Sequence, residues 1–174
     1  LIRLCQQCGT PFTFRAAGSS LSGQCSSEDV LIVCNDGFKK MEVIDDGKAL
    51  KCECGVIGSD ANDLLKPYNR KIGPDPATLA TALVGGILNN NSSGMCCGTA
   101  QNSYKTIRSI RVVLLDGSIL DTSDQKSIDQ FLKEKPQMVE DILQLRKDIL
   151  ADEELTHLIH HKYKIKNTTG YGLN

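Results

Sequence analysis

Two stretches of this 174-residue chain carry residue types that suit chemistry through the main chain. The longer runs from Ile72 to Gly98 and reads IGPDPATLATALVGGILNNNSSGMCCG. It contains Pro74 and Pro76, the pair Gly85-Gly86, three consecutive Asn and the pair Ser92-Ser93, with no run of charge. Such residues offer irregular backbone, bare N–H groups, amides and hydroxyls, an inventory that suits wrapping an extended polar ligand. This stretch is therefore expected to line a cofactor. The shorter stretch, Ala16 to Gln24, reads AAGSSLSGQ and directly follows a weakly alternating strand pattern, Phe12 to Arg15. A strand opening into a small hydroxyl-rich loop can present N–H and O–H donors to phosphate. An ordinary Ser/Gly loop has the same composition, and spacing alone does not separate the two. No Walker loop and no dinucleotide GxGxxG occurs in the chain, and Gly47-Lys48 lacks the upstream Gly.

Other constellations carry less. Cys5, Cys8, Cys52 and Cys54 form a CxxC and a CxC, for which separate thiols are the plainer account and a zinc site the sharper one. Cys96-Cys97 lies inside the longer stretch. Small packing residues are expected there, with a redox pair as the alternative. His157, His160 and His161 have metal-face spacing on an expected helix, but no carboxylate constellation completes a site with them, so a solvated surface is expected and no metal is assigned. Lys162 to Lys166 is read as a solvated basic run, and Lys166 and Tyr171 as residues near the active site of an intact enzyme only by analogy.

Composition sets the bounds. Hydrophobic residues make up 40% and aromatics 5%, without Trp, so an aliphatic core is expected. A net charge of −1 argues against a nucleic-acid binder driven by a basic face. No apolar run approaches the roughly 20 residues of a membrane span. Eight Cys in a chain with ordinary core residues point to reduced cytoplasmic thiols rather than a disulfide scaffold. The chain opens at Leu1 without Met and stops at Asn174 in a Gly-rich loop, and it is expected to be a piece of a larger protein.

The elements that must position these residues follow from pattern. A helical remnant is expected over Leu1 to Cys8, with Gly9 as its stop. Strands are expected at Phe12–Arg15 and Val30–Cys34, and a hairpin joins Met41–Ile44 to Ala49–Cys54 through Asp45-Asp46-Gly47-Lys48. Ser59 or Asp60 is expected to cap a helix over Ala61–Lys66, with Leu64 and Leu65 inward and Pro67 ending it. Leu79–Leu83 is expected as a turn or strand, and Val84–Leu88 as a short helix whose N-terminus faces the ligand. A second hairpin turns at Asp116-Gly117 between Ile110–Leu115 and Ser118–Leu120. Ser127 to Gln130 reads as a capping box for a short helix ending before Pro136. A longer helix keeps Val139, Ile142, Leu143, Ile149 and Leu150 on one face, another runs from Asp152 to Lys162, and Lys164 to Asn174 is a loop.

Three segments in order, PFTFRAAGSSLSGQ, KIGPDPATLATALVGGILNNNSSGMCCGTAQNSY and IRVVLLDGSILDT, resemble the FAD-binding (PCMH-type) domain of the vanillyl-alcohol oxidase / p-cresol methylhydroxylase superfamily, in its D-lactate dehydrogenase and glycolate oxidase subunit branch. The resemblance covers nearly the whole chain. It implies an α+β fold in two subdomains. The first, about 1–65, has a small, mainly parallel βαβ sheet. The second, about 66–174, is a mostly antiparallel sheet flanked by helices. FAD would lie extended between them. Arg15, Ala16, Ala17, Gly18, Ser19, Ser20, Leu21, Gly23 and Gln24 would hold its pyrophosphate. Pro74, Asp75, Ala82, Leu83, Gly85, Gly86, Asn89, Asn90, Ser93, Gly94 and Gly98 would contact it along its length.

Neither loop is rich in Lys or Arg, so N–H and hydroxyl donors must meet most of the phosphate charge. Hydrogen bonds to charged groups contribute roughly 1.5–3 kcal/mol each. Where the family has Thr after the loop glycine this chain has Ser19, which keeps the hydroxyl. Where covalent members have a His, this loop has none, which implies non-covalent FAD. The Gly-Ser-Glu-Gly-Thr-Leu-like segment and the substrate domain of the family are lacking, so no catalytic residue is placed.

The implied activity is oxidation of a 2-hydroxy acid, with hydride passing to the flavin. Electrons would then reach a quinone, cytochrome or iron–sulfur partner. The place would be cytoplasmic, either free or peripheral to the inner face of the membrane in the intact enzyme. Another superfamily member (of 2-hydroxyglutarate dehydrogenase or alkyl-glycerone-phosphate synthase type) and a nucleotide-binding module without redox activity are the alternatives.

Overall fold

The computed structural model describes residues 1–166 and 172–173. By contacts the chain divides into one unit formed by Cys8–Thr106 and another formed by Leu1–Gln7 with Ile107–Asn174. Helices and short strand pairs alternate, and the α+β class stands.

In the unit Cys8–Thr106, β1 (Phe12–Arg15) pairs in parallel with β2 (Val30–Val33), Phe12 opposite Val30 and Arg15 opposite Val33. No helix crosses between them; the connection is the Ala16–Gln24 loop and the residues that follow it. Phe12 and Phe14 meet edge to face at 5.7 Å between ring centres. β3 (Met41–Ile44) and β4 (Ala49–Cys52) form the expected antiparallel hairpin. Its turn takes three successive left-handed residues, Asp45, Asp46 and Gly47, at φ +52°, +52° and +83°. A Cβ on Gly47 would fall 2.4 Å from Tyr68 Cβ, so the glycine admits that ring as well as the turn.

α2 spans Gly58–Leu65, three residues earlier than the helix expected from Ala61. The residue at its N-cap is Ile57, and neither Ser59 nor Asp60 caps it. The cap is replaced by backbone: Gly58 N–H donates to Ala82 O at 3.0 Å and Ser59 N–H to Leu79 O at 3.0 Å. Leu65 is buried as expected, but Leu64 is 36% exposed, because it lies one residue (about 100°) off the inward stripe. Pro67 does not terminate the helix directly; it opens a 3₁₀ turn over Lys66–Tyr68, where its missing N–H costs nothing. The core of this unit is Val56, Ala61, Leu65, Ala82, Leu83, Ile87 and Cys97. α3 (Val84–Asn89) and α4 (Ser103–Thr106) complete it.

In the other unit, α1 (Ile2–Gln7) ends before Gly9, at φ +60°. β5 (Arg111–Val113) pairs antiparallel with β6 (Ile119–Asp121), and Gly117 turns the chain at φ +76°. Arg3 donates to Gly117 O at 3.2 Å. α5 spans Gln125–Glu134 and its cap is Asp124, whose carboxylate accepts from Lys126 N–H. The expected Ser127–Gln130 capping box is therefore not the helix start. Ser127 already lies inside the helix, and its hydroxyl accepts from Asp121 N–H at 3.0 Å. α6 (Pro136–Ala151) opens on Pro136, and α7 (Glu153–Lys162) is capped by Asp152, which accepts from Leu155 N–H. α6 contributes no buried residue: Ile142, Leu143 and Leu150 of its expected face are each more than half exposed. Among the described residues no helix is long and apolar enough to cross a membrane.

One tight approach tests the packing beside the hairpin. A Cβ on Gly55 would lie 2.0 Å from Gly37 O, a backbone atom that cannot swing aside, whereas one on Gly37 would meet nothing within 4 Å. Gly55→Ala is expected to lower the unfolding free energy by about 1–3 kcal/mol, as overpacking does. Gly37→Ala should leave it within about 0.5 kcal/mol. Urea denaturation of the two variants checks the contrast.

Candidate functional site

Both stretches singled out by their composition lie in the unit Cys8–Thr106. The first begins where β1 ends. Arg15 O accepts from Cys34 N–H at 2.9 Å, which ties the last residue of β1 to the residue after β2. The chain then leaves the ladder through Gly18 (φ +72°) and Gly23 (φ +77°), conformations that glycine takes without strain. A Cβ on Gly18 would lie 2.7 Å from Arg15 Nε, so the guanidinium lies over the loop backbone. Arg15 thus places one cation at the start of an otherwise neutral loop. Ser20 donates its hydroxyl to Gln24 Oε1, and Ser26 N–H donates to Gly23 O. Ala16 is half-buried; Ala17, Ser19, Ser20, Leu21, Gly23 and Gln24 are exposed.

The first turn of α3 faces the start of that loop. A Cβ on Gly86 would meet Ala16 Cβ at 3.6 Å, ordinary van der Waals contact, and no other atom nearer than 4 Å. This approach brings the two stretches together. Gly85 answers a different demand: its Cβ would lie 2.8 Å from Cys54 Cβ, so it is required by packing. Val84 N–H donates to Val56 O at 2.7 Å and Gly85 N–H to Cys54 O at 2.9 Å. These bonds satisfy two of the N–H groups left free at a helix start that no side chain caps. Ala82 and Leu83 are core residues.

The second stretch closes on itself around Asp75. Its Oδ2 accepts from Cys96 N–H and its Oδ1 from Cys97 N–H, both at 3.1 Å. Gly98 N–H donates to Gly94 O at 3.0 Å, closing a small loop. A Cβ on Gly94 would fall 2.0 Å from Asp75 O, so only glycine fits there. The side-chain hydrogen bond with Cys97, then its backbone N–H, holds the Asp75 carboxyl down at about 2. The carboxylate accepts hydrogen bonds and donates none, which suits two converging N–H groups. Pro74 and Pro76 on either side of Asp75 keep it out of regular structure. Burial, then the Asp75 side chain, pushes the Cys97 thiol up, which keeps it protonated and a poor nucleophile. Cys97 therefore packs, while Cys96 is exposed.

The Asn run divides its work. Asn89 is exposed, Asn90 Nδ2 donates to Ser92 Oγ at 3.3 Å, and Asn91 Oδ1 accepts from Tyr104 N–H at 3.0 Å. Asn91 and Ser103 are not among the residues expected at the site, yet they brace it. The Ser103 hydroxyl is shared between Ile87 O at 2.9 Å and Ser92 O at 3.2 Å, pinning the end of α3 to the Ser pair. The signal for Asn91 is its place in the Asn run, and for Ser103 the small polar pair Asn102-Ser103 where α4 opens.

Ser93 is 2% exposed, and its Oγ is the one buried side-chain polar atom among the described residues without a partner. Leaving such a hydroxyl unpaired costs roughly 1–3 kcal/mol. A ligand polar group is a fitting partner. With Arg15, the loop hydroxyls and the open N–H groups, the donor set fits an extended ligand with a pyrophosphate. Among the described residues no group of three or more His, Cys, Asp or Glu could hold a metal, which covers Cys5, Cys8, Cys52 and Cys54 and the three His of α7. Lys166 is exposed, and Tyr171 lies outside the described residues.

The class is that of a flavin-binding domain: the chain belongs to the FAD binding domain family, whose model matches residues 1–123. FAD is its cofactor, and the family context is that of flavin-dependent oxidoreductases. The chain is 29% identical over 112 residues to D-2-hydroxyglutarate dehydrogenase of Escherichia coli (strain K12), covering 64% of this chain and 11% of that protein. It is 25% identical over 122 residues to glycolate oxidase subunit GlcD of the same strain, covering 69% of this chain and 24% of that one. The chain thus spans a quarter or less of these relatives.

Among solved structures it superposes on alkyldihydroxyacetonephosphate synthase with a TM-score of 0.61 at 19% identity, over 73% of this chain and 25% of that one. On 6-hydroxy-D-nicotine oxidase from Arthrobacter nicotinovorans it does so with 0.58 at 14%, over 69% and 26%. These likenesses establish the PCMH-type fold.

The Asp75 clasp has a defined pH dependence. Its folded-state carboxyl lies at about 2, below the ordinary 3.8. The contribution is therefore fully present above about pH 4 and is lost as pH falls through about 2. Asp75→Asn removes the charge at every pH. Amide exchange at Cys96 and Cys97 in this variant at neutral pH should be about tenfold faster than in the wild type, as local opening becomes easier. Hydrogen-exchange mass spectrometry over 94–98 reads it.

Proposed function

We propose that this chain is the FAD-holding part of an enzyme that oxidises a 2-hydroxy acid of the D-lactate or glycolate type, with a quinone, cytochrome or iron–sulfur centre as the final electron acceptor. The observation that carries the site assignment is the approach of Gly86 to Ala16, which sets two donor-rich loops side by side. The likeness to D-2-hydroxyglutarate dehydrogenase and to the glycolate oxidase subunit supports the substrate class.

In this proposal Arg15 and the loop Ala16–Gln24 hold the pyrophosphate of non-covalent FAD. Gly86 leaves the backbone of α3 open to the ligand, and the Ser93 hydroxyl gains its partner. Pro74, Asp75, Gly94 and Gly98 act through shape: the clasp holds the second loop so that its N–H groups and Ser93 stay oriented before the ligand arrives. FAD, when bound, supplies the two-electron acceptor for oxidation at the carbon bearing the substrate hydroxyl. The division into family subdomains at about 1–65 and 66–174 belongs to the same proposal, as do a cytoplasmic location and a substrate site on other parts of the parent protein.

The test is retention of flavin. The chain purified with added FAD should carry protein-bound yellow flavin, and Gly86→Val should lose it while its thermal unfolding stays close to wild type, since the added Cβ meets only an ordinary contact. Full retention in Gly86→Val would count against the pocket. Turnover of D- and L-2-hydroxy acids by the parent enzyme identifies the substrate, and no turnover of any of them would overturn the substrate class.

A further inference from the structure

A cationic groove lies behind the turn that follows α2, outside the FAD cradle. It is an open groove of about 600 Å³ lined by Asn62, Asp63, Lys66, Asn69, Arg70 and Lys71. Its frame is fixed. Asn69 takes a left-handed conformation at φ +55° and reverses the chain, with its N–H donating to Lys66 O at 2.9 Å. Arg70 N–H then donates to Leu65 O at 3.3 Å, and Ile72 N–H to Asn62 Oδ1 at 2.9 Å. The returning strand of chain is thus pinned against the helix it left, and Lys66, Arg70 and Lys71 line the same groove. Three cations face one carboxylate, Asp63. Ion pairs elsewhere join Arg111 to Asp121 and Lys135 to Asp116, but among the described residues none of the three groove cations pairs with a carboxylate.

This concentration of positive charge stands out in a chain whose net charge is −1. The groove cations are all exposed. The groove offers no buried charged anchor of the kind that holds a small anion tightly, and none of its lining residues is aromatic, so the lining gives a nucleic-acid base no ring to stack on. Exposed cations on a rigid frame suit long-range attraction and register-setting contacts with a complementary surface.

We infer that the groove lined by Lys66, Arg70 and Lys71 docks an acidic surface of a protein partner. Binding there is electrostatic and salt-sensitive, and it is independent of the substrate that the parent enzyme takes.

The test uses the 174-residue chain loaded with FAD and a fluorescein-labelled peptide of about ten glutamates. Fluorescence anisotropy should show binding at about 20 mM salt and a loss of about tenfold or more at about 300 mM, because screening shortens the reach of the charges. The variant Lys66→Gln/Arg70→Gln/Lys71→Gln should bind the peptide about tenfold more weakly. A control variant of equal charge change, Lys39→Gln/Lys40→Gln/Lys48→Gln, should bind like the wild type. Equal weakening in both variants would overturn the inference, because the attraction would then be general. So would tighter binding of a single-stranded oligonucleotide of matched charge at the groove. Flavin content is read in parallel. The groove variant should keep its FAD, and loss of flavin there would assign these cations to the cradle instead of a partner. Failure of the cradle assignment alone, with no flavin in the wild type, leaves the peptide contrast between the two variants intact.

Discussion

The bridge between Ile57 and Leu83 is the constraint on which the flavin-binding unit depends. Two short pieces of extended chain meet there, with Gly58 N–H on Ala82 O and Val84 N–H on Val56 O. Each piece ends by entering a helix. The bridge therefore sets the starts of α2 and α3 side by side and does the work that side-chain caps do elsewhere. Val56, Leu83, Ala61 and Ile87 are buried around it, so hydrophobic burial and backbone pairing support the same geometry. The placement of Gly86 against Ala16 follows from where the bridge starts α3.

Charge is distributed with the same economy. The two donor-rich loops carry hydroxyls, amides and one arginine, and their single carboxylate, Asp75, is turned to internal use as a clasp on the loop that follows. A carboxylate free to face a pyrophosphate would repel it; bonded to two backbone N–H groups, it shapes the loop instead. A stronger concentration of cations is on the turn after α2, where the chain is pinned and the charged residues are exposed. Neutral donors suit a ligand that must lie close against backbone, and exposed lysines and arginines suit attraction at longer range.

Much of this was legible from residue types. The two hairpins followed from their Asp-Gly turns, and α3 from the short run after Leu83. The capping of α5 was misjudged because Ser127–Gln130 satisfies a local pattern while Asp124, three residues earlier, offers a carboxylate to Lys126 N–H. Local patterns compete, and the winner depends on what else needs the hydroxyl: Ser127 is engaged by Asp121 N–H from β6. The early start of α2 was hidden for a related reason. Its first N–H groups find carbonyls twenty or more residues ahead in the chain, at Ala82 and Leu79, and no short window around Gly58 contains them.

By itself, the sequence determined the family and the cofactor. Glycines, prolines, amides and hydroxyls in that order are requirements of a backbone that must approach a ligand closely, and such requirements are written residue by residue. Which residues are left open and which serve the loop itself was decided only by tertiary structure. Gly85 and Gly86 are identical neighbours, yet one is demanded by Cys54 and the other is left open beside Ala16. Asp75 and Ser93 are both polar, yet one is fully engaged and the other is buried without a partner. The difference arises because burial and hydrogen bonding are properties of neighbours in space, and here those neighbours come from segments about 20 to 70 residues away in the chain.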